Sequence, residues 1–254
     1  MLAVGVIGFG GINSYLPGGG DNAGYIAEAE ALLRHGQRLS LYELGSPPAT
    51  FKAPLFPILL AGVEALFGRN VAAMKALLVL CAMGAVWAAW WALRCGLEEG
   101  EAEGRNAGAE AAGAPEEARS FQAAVLALWF ALMPILALTC HDVLTDVPFT
   151  ALTLLVIGCA GRAAWPGAAY RTLIPLVALL VVATFLRSAG VLLGAACVAY
   201  LGLEALLRRK EKCFPRLVLG CVVIAALTGG FLWLQQRGPR TYVSLAVQEI
   251  TAPA

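Results

Sequence analysis

Four charged side chains stand out in a chain that otherwise avoids charge: Asp21, Lys52, Asp146 and Arg187. A carboxylate can act as a general base or a metal ligand, and a lysine or arginine can neutralise a phosphate. Beside a hydrocarbon layer such groups are costly to desolvate, so each calls for a partner or a task. Asp21 follows three glycines and opens the segment DNAGYIAEAEALLRHG, in which Tyr25, Ala29, Leu32 and Gly36 recur on one face at helical spacing. As an N-cap it would accept backbone N–H bonds, and the helix dipole would favour its charged form, which suits a base or a metal ligand as well. Lys52 sits in TFKAPLFP, just before an apolar stretch, where it can snorkel to headgroups or meet a lipid-linked phosphate. Asp142 and Asp146 lie in TCHDVLTDVP, where Asp146 is placed to cap the following helix or to act from its end.

The elements that must position these groups are membrane elements. Of 254 residues, 59% are apolar and 14% charged, against about a quarter charged in a soluble domain. Spans are expected at 1–16, 71–93, 121–139, 147–163 and 217–235. The apolar stretch 172–207 is too long for one crossing, so the interruption at Arg187–Ser188 divides it into 172–185 and 189–207. Lys75, near the start of a span, and His35 are expected to be solvated or snorkelling. Trp87, Trp90 and Trp91 suggest an interfacial belt. The fold class is all-α and polytopic, about seven transmembrane helices in a single module over 1–254, with a first outer loop at 17–70. The Gly/Ala/Glu-rich loop 94–120 reads as a flexible cytoplasmic linker. The short polar end suggests a truncated, N-terminal portion of something longer.

The run RRKEKCFPR at 208–216 is the densest basic loop, so the positive-inside rule puts it in the cytoplasm, and counting spans back from it puts 162–171 and the acidic loop 94–120 there as well. The stretch 54–68 opens on prolines and carries Glu64, so it is expected to be re-entrant or interfacial. With that parity Asp21, Lys52, Asp146 and Arg187 converge on the outer face. A net charge of +1 with scattered basic residues argues against nucleic acid. The 7 cysteines show no C-x-x-C spacing and read as small core hydrophobes, and 2 histidines exclude a His-rich metal site.

In order, these residues resemble the GT-C superfamily of membrane glycosyltransferases, in the branch of the bacterial relatives of protein O-mannosyltransferases and of the lipid A aminoarabinose transferase. Asp21, Tyr25, Ala29, Leu32 and Gly36 match its first outer loop. Lys52-Ala53-Pro54-Leu55 matches a Lys-Pro-Pro-Leu element, with Ala53 in place of the first proline. Thr145-Asp146 matches the Thr-Asp of the second outer loop, and Arg187 with Gly190 matches an Arg/Lys-x-x-Gly after the fifth span. Many members carry Glu after the first Asp, where this chain has Asn22.

The resemblance implies inverting transfer of a sugar from a polyprenyl-phosphate donor to a lipid, glycan or protein acceptor, at the outer face of a bacterial plasma (inner) membrane. It implies Asp21 as the catalytic base and Asp146 as a second catalytic acid residue that positions the acceptor. Tyr25, Lys52 and Arg187 would bind substrate, and a divalent metal, if used, would sit on Asp21 and Asp146. The alternatives are a non-catalytic membrane scaffold and a small-molecule transporter. A transporter would set ionisable groups at mid-membrane on broken helices, whereas here they gather at one face.

Overall fold

Long apolar runs with few charges form helices here because a backbone in lipid must satisfy its own hydrogen bonds. The structure, a computed structural model, describes residues 5, 9–13, 21–39, 53–106, 116–133, 139 and 142–236, without the side chains of 21, 97–106, 116–119 and 234–236. Its helices are α1 (Asp21–His35), α2 (Leu55–Phe67), α3 (Val71–Asn106), α4 (Glu116–Ala131), α5 (Asp146–Ala164), α6 (Leu173–Leu186), α7 (Gly190–Leu207) and α8 (Phe214–Gln236), with a 3-10 turn at Tyr170–Thr172 leading into α6. Among the described residues, four segments are long and apolar enough to cross a membrane: Val71–Gly96, Asp146–Ala164, Gly190–Leu207 and Phe214–Trp233. The apolar parts of α2, α4 and α6 are shorter. The chain is an integral, all-α polytopic membrane protein.

Helix α3 is the spine. It packs most extensively on α5, and also contacts α4 and α2. Both helices bury small residues, Ala82, Ala85, Ala88 and Ala89 on α3 and Cys159, Ala160 and Ala163 on α5. At Gly158 a Cβ would lie 2.4 Å from the Trp91 ring, so glycine is what lets the indole into the seam. Trp91 therefore packs inward, while Trp87 stays exposed with the two rings stacked at 6.4 Å. The N-terminal segment lies along the same spine, because Gly5 approaches Met83 while Asn13 bonds Lys75, an antiparallel course.

Helices α5 to α8 share a second core of Val156, Leu173, Leu176, Leu180, Leu201, Leu217 and Ile224. One end of this bundle is closed by Arg216, buried at 3% exposure, whose guanidinium donates to the carbonyls of Trp165 and Ala168. Arg216 and the 165–168 turn thus share one end, and Asp146 and Arg187 share the other.

Some expectations need correction. The stretch 94–120 is not linker throughout: α3 continues unbroken to Asn106 and α4 already begins at Glu116, since the Ala/Glu content that lowers hydropathy also favours helix. In the span expected at 121–139, α4 runs to Ala131 and Thr139 is again helical, while 134–138 lie outside the described residues. Of the expected span 1–16, only residues 5 and 9–13 are described.

The break between α6 and α7 falls where the charge interrupts the apolar stretch. Arg187 is extended (φ −152°, ψ 136°), and its N–H still bonds the Ala183 carbonyl. Gly190 then turns back so closely that a Cβ there would stand 2.5 Å from the backbone N and Cα of Thr184. Backbone cannot give way as a side-chain tip can. Gly190→Ala is therefore expected to lower stability by about 1–3 kcal/mol, checked by thermal unfolding in detergent. An unchanged midpoint would show that this turn relaxes freely.

Candidate active site

One apolar cluster gathers the expected site. Its buried members are Ile26 and Ala29 of α1, Phe56, Leu60 and Ala61 of α2, Met74 and Leu78 of α3, Val143 of the loop before α5, and Leu186 at the end of α6. Apart from Met74 and Leu78 of α3, they lie on or beside segments that carry the expected site residues. Asp21 begins the helix of Ile26, Lys52 precedes the helix of Phe56, Asp146 follows Val143, and Arg187 follows Leu186. Lys52 and the side chain of Asp21 lie outside the described residues, as does His141.

Helix α1 has a physical reason for its spacing. Tyr25, Ala29 and Leu32 form the seam toward α2, with Ala29 fully buried and the Tyr25 ring edge-on to Phe56 at 5.0 Å. Gly36 ends the helix at φ +67°, a conformation that glycine adopts without strain, and its N–H bonds the Leu32 carbonyl at 2.9 Å. Tyr25 is thus at least a packing residue. Glu28 and Arg38 add a fastening absent from the sequence reading: Arg38 donates from Nη2 at 2.7 Å and from Nε at 3.2 Å to the buried Glu28 carboxylate. That bond folds the chain after Gly36 back onto α1.

Asp146 is the first residue of α5, and its carboxylate accepts from the Arg187 guanidinium in a direct ion pair. The guanidinium also lies 5.9 Å from the Phe149 ring centroid. Both partners keep about two-fifths of their side-chain surface, at 43% for Asp146 and 40% for Arg187. The pair is therefore open on one side and able to meet a ligand. Behind it the turn 142–145 is closed: Val143 and Thr145 are buried, the Leu144 N–H bonds the Asp142 carbonyl at 2.8 Å, and the Phe149 N–H bonds the Thr145 carbonyl at 2.9 Å.

Of the two residues expected to hold a metal, only the Asp146 side chain is described. The Asp146 carboxylate is already engaged by a cation, and among the described residues no three His, Cys, Asp or Glu side chains cluster as ligands. No metal step is derived.

Lys75 departs from its expected place. It is 1% exposed, and its ammonium donates to Asn13 Oδ1 at 2.9 Å, so it does not reach toward headgroups or solvent. Its single signal in the sequence was a charge one turn inside a span. Two acceptor atoms, Asn22 Oδ1 and Glu64 Oε2, are buried without a hydrogen-bond partner among the described residues.

On the far side of Arg187, an apolar cavity of about 270 Å³ runs between α6, α7 and α8, lined among others by Leu180, Thr184, Phe185, Ile224 and Phe231. Thr184 and Phe185 form the last turn before Arg187, which does not itself line the cavity.

A membrane-embedded bundle with α1 and α2 packed over one end of the spans, and an open acid–arginine pair at that end, has a GT-C-like fold. The particular likeness is to ArnT from Cupriavidus metallidurans, in a crystal structure bound to undecaprenyl phosphate, with a TM-score of 0.62 at 19% identity over 94% of this chain. The chain spans 41% of the length of that protein, and at this identity the likeness shows the fold. No family model matches the chain, and no curated protein matches it either.

Two outcomes test this geometry. Exposed ion pairs contribute about 0–1 kcal/mol, so Asp146→Asn should shift the unfolding midpoint hardly at all. A large loss would make the pair a structural strut. Glu64 behaves differently: burial, reinforced by the Glu30 carboxylate, pushes its carboxyl above the ordinary range, with Arg69 and Arg34 opposing. The fold disfavours its charged form, and that penalty is complete above the folded titration and absent below the ordinary glutamate range. Glu64→Gln should therefore stabilise the protein at neutral pH, with the gain vanishing in acid; a pH-independent gain would refute the burial argument.

Proposed function

We propose that the protein is a glycosyltransferase that moves a sugar from a polyprenyl-phosphate donor to an acceptor at the membrane surface, inverting the anomeric centre. The observation that carries this reading is the half-open Asp146–Arg187 pair, gathered by one cluster with the helix that Asp21 opens. A donor of this kind has two parts, a phosphate and a hydrocarbon chain; the Arg187 cation suits the first, and the apolar cavity between α6, α7 and α8 suits the second. The likeness in fold to a protein crystallised with undecaprenyl phosphate supports the same donor class.

In this reading Asp21 is the general base. It takes the proton from the acceptor hydroxyl or amine as that group attacks the anomeric carbon, and the bond from that carbon to the lipid phosphate oxygen breaks. Lys52 and Arg187 stabilise the charge that collects on the departing phosphate. Asp146 holds the Arg187 guanidinium in one orientation, so the cation is aimed before the donor arrives. Tyr25 fixes α1 against α2 and so sets the reach of Asp21. The site faces the outside of a bacterial plasma membrane, and a lipid, glycan or protein serves as acceptor.

The test is release of polyprenyl phosphate from labelled polyprenyl-phosphate sugars by membranes carrying the full chain with crude acceptor. Asp21→Asn should cut turnover by about 10²–10⁴-fold, the range of a positioned base, with membrane insertion intact. Lys52→Ala and Arg187→Ala should raise the donor KM. Wild-type membranes silent across several donor sugars would turn the reading toward a non-catalytic scaffold.

A further inference from the structure

A second cavity, of about 390 Å³, lies between α3, α5 and α7 and takes no part in the transfer chemistry. Small residues make the room: Ala92 and Gly96 of α3, Gly158 and Gly161 of α5, and Ala196 of α7 are in its wall, with Tyr200 of α7. Each of these residues falls within a segment long and apolar enough to cross a membrane, so what reaches the cavity from the side is hydrocarbon. The cavity belongs to the end away from Asp146 and Arg187. Gly96 is the last residue of the span whose start, at Met74, packs into the site cluster, and the α5 wall lies in the second half of the helix that Asp146 opens. No residue lines both this cavity and the one between α6, α7 and α8.

A cation stands at that edge of the membrane. Arg162 is one helical turn beyond Gly158, on the same face of α5, and its side chain is exposed. Its guanidinium lies 5.7 Å from the centroid of the Trp91 ring, the ring that approaches Gly158 so closely that a Cβ there would come within 2.4 Å. Arg162 does not line the cavity itself; it stands one turn above a residue that does. One turn beyond Tyr200, Glu204 accepts from Arg208 at 2.8 Å, so that pair adds no net charge, and the carboxylates of α3 begin at Glu98, outside the span. We propose that this cavity binds a glycerophospholipid, one acyl chain filling the space between α3, α5 and α7 and the headgroup phosphate meeting Arg162. Arg162 comes two residues before Ala164, the end of its span, which is the depth at which hydrocarbon gives way to headgroups. The proposal does not rest on the transferase reading.

The test is lipid retention by the full chain in detergent, read by native mass spectrometry during titration with phosphatidylethanolamine, phosphatidylglycerol or diacylglycerol. Wild type is expected to keep a single phospholipid of either kind, and not diacylglycerol, which has the chains without the phosphate. Ala196→Phe, which fills the cavity from an exposed position, should abolish that retention, whereas Ala195→Phe, exposed beside it but off the wall, should leave it intact. Arg162→Gln should weaken phospholipid affinity about tenfold or more, the scale of a lost charge-assisted hydrogen bond, and Arg162→Lys should keep most of it. Retention unchanged in Ala196→Phe overturns the proposal, as does diacylglycerol held as firmly as phospholipid. Loss of polyprenyl phosphate in Ala196→Phe with phospholipid still bound would also overturn it, and would join the cavity to the donor instead. Should Ala196→Phe fail to accumulate, Arg162→Gln and the diacylglycerol comparison still decide the matter.

Discussion

The arrangement depends on a constraint of the membrane surface: a polar site there can be assembled only by apolar side chains that bury themselves on the way to it. Ile26, Phe56, Leu60, Met74, Val143 and Leu186 come from five separate segments and meet in one cluster. None of them could react with anything. Removing water from their surfaces stabilises the packing of α1 and α2 on the end of the spans, and the charged residues are fixed because they adjoin these anchors in the chain. The packing comes first, and the chemistry is carried along by covalent attachment.

This explains the different character of the charges. Asp146 and Arg187 are partnered to each other but remain part-exposed, whereas Glu28 and Lys75 are buried and bonded to Arg38 and Asn13. These two bonds tie the chain after Gly36 to α1 and the N-terminal segment to α3.

Much of this could be seen in the sequence where periodicity and length decide the outcome. The division of 172–207 at Arg187 follows from a hydrocarbon core of limited thickness, and α6 and α7 begin and end within about two residues of the expected positions. The shortness of α2 follows from its prolines and its Glu64. The face of α1 follows from its 3.6-residue period, and Gly36 ends it as a left-handed glycine should. What was hidden depends on contacts between distant segments. Lys75 looks like any snorkelling lysine until Asn13, 62 residues away, is found beside it. The pairing of Glu28 with Arg38 looks like two solvated charges, and the continuation of α3 to Asn106 is masked by a composition that suits linkers and helices equally.

The hairpin of α6 and α7 has a consequence for depth in the membrane. At 14 residues, α6 extends about 21 Å, and its partner α7 begins after only Arg187, Ser188 and Ala189. With a connection this short, neither helix can slide along its own axis without taking the other with it. The close turn at Gly190 that seats Arg187 beside Asp146 therefore also couples the depth of the shorter helix to that of the longer one.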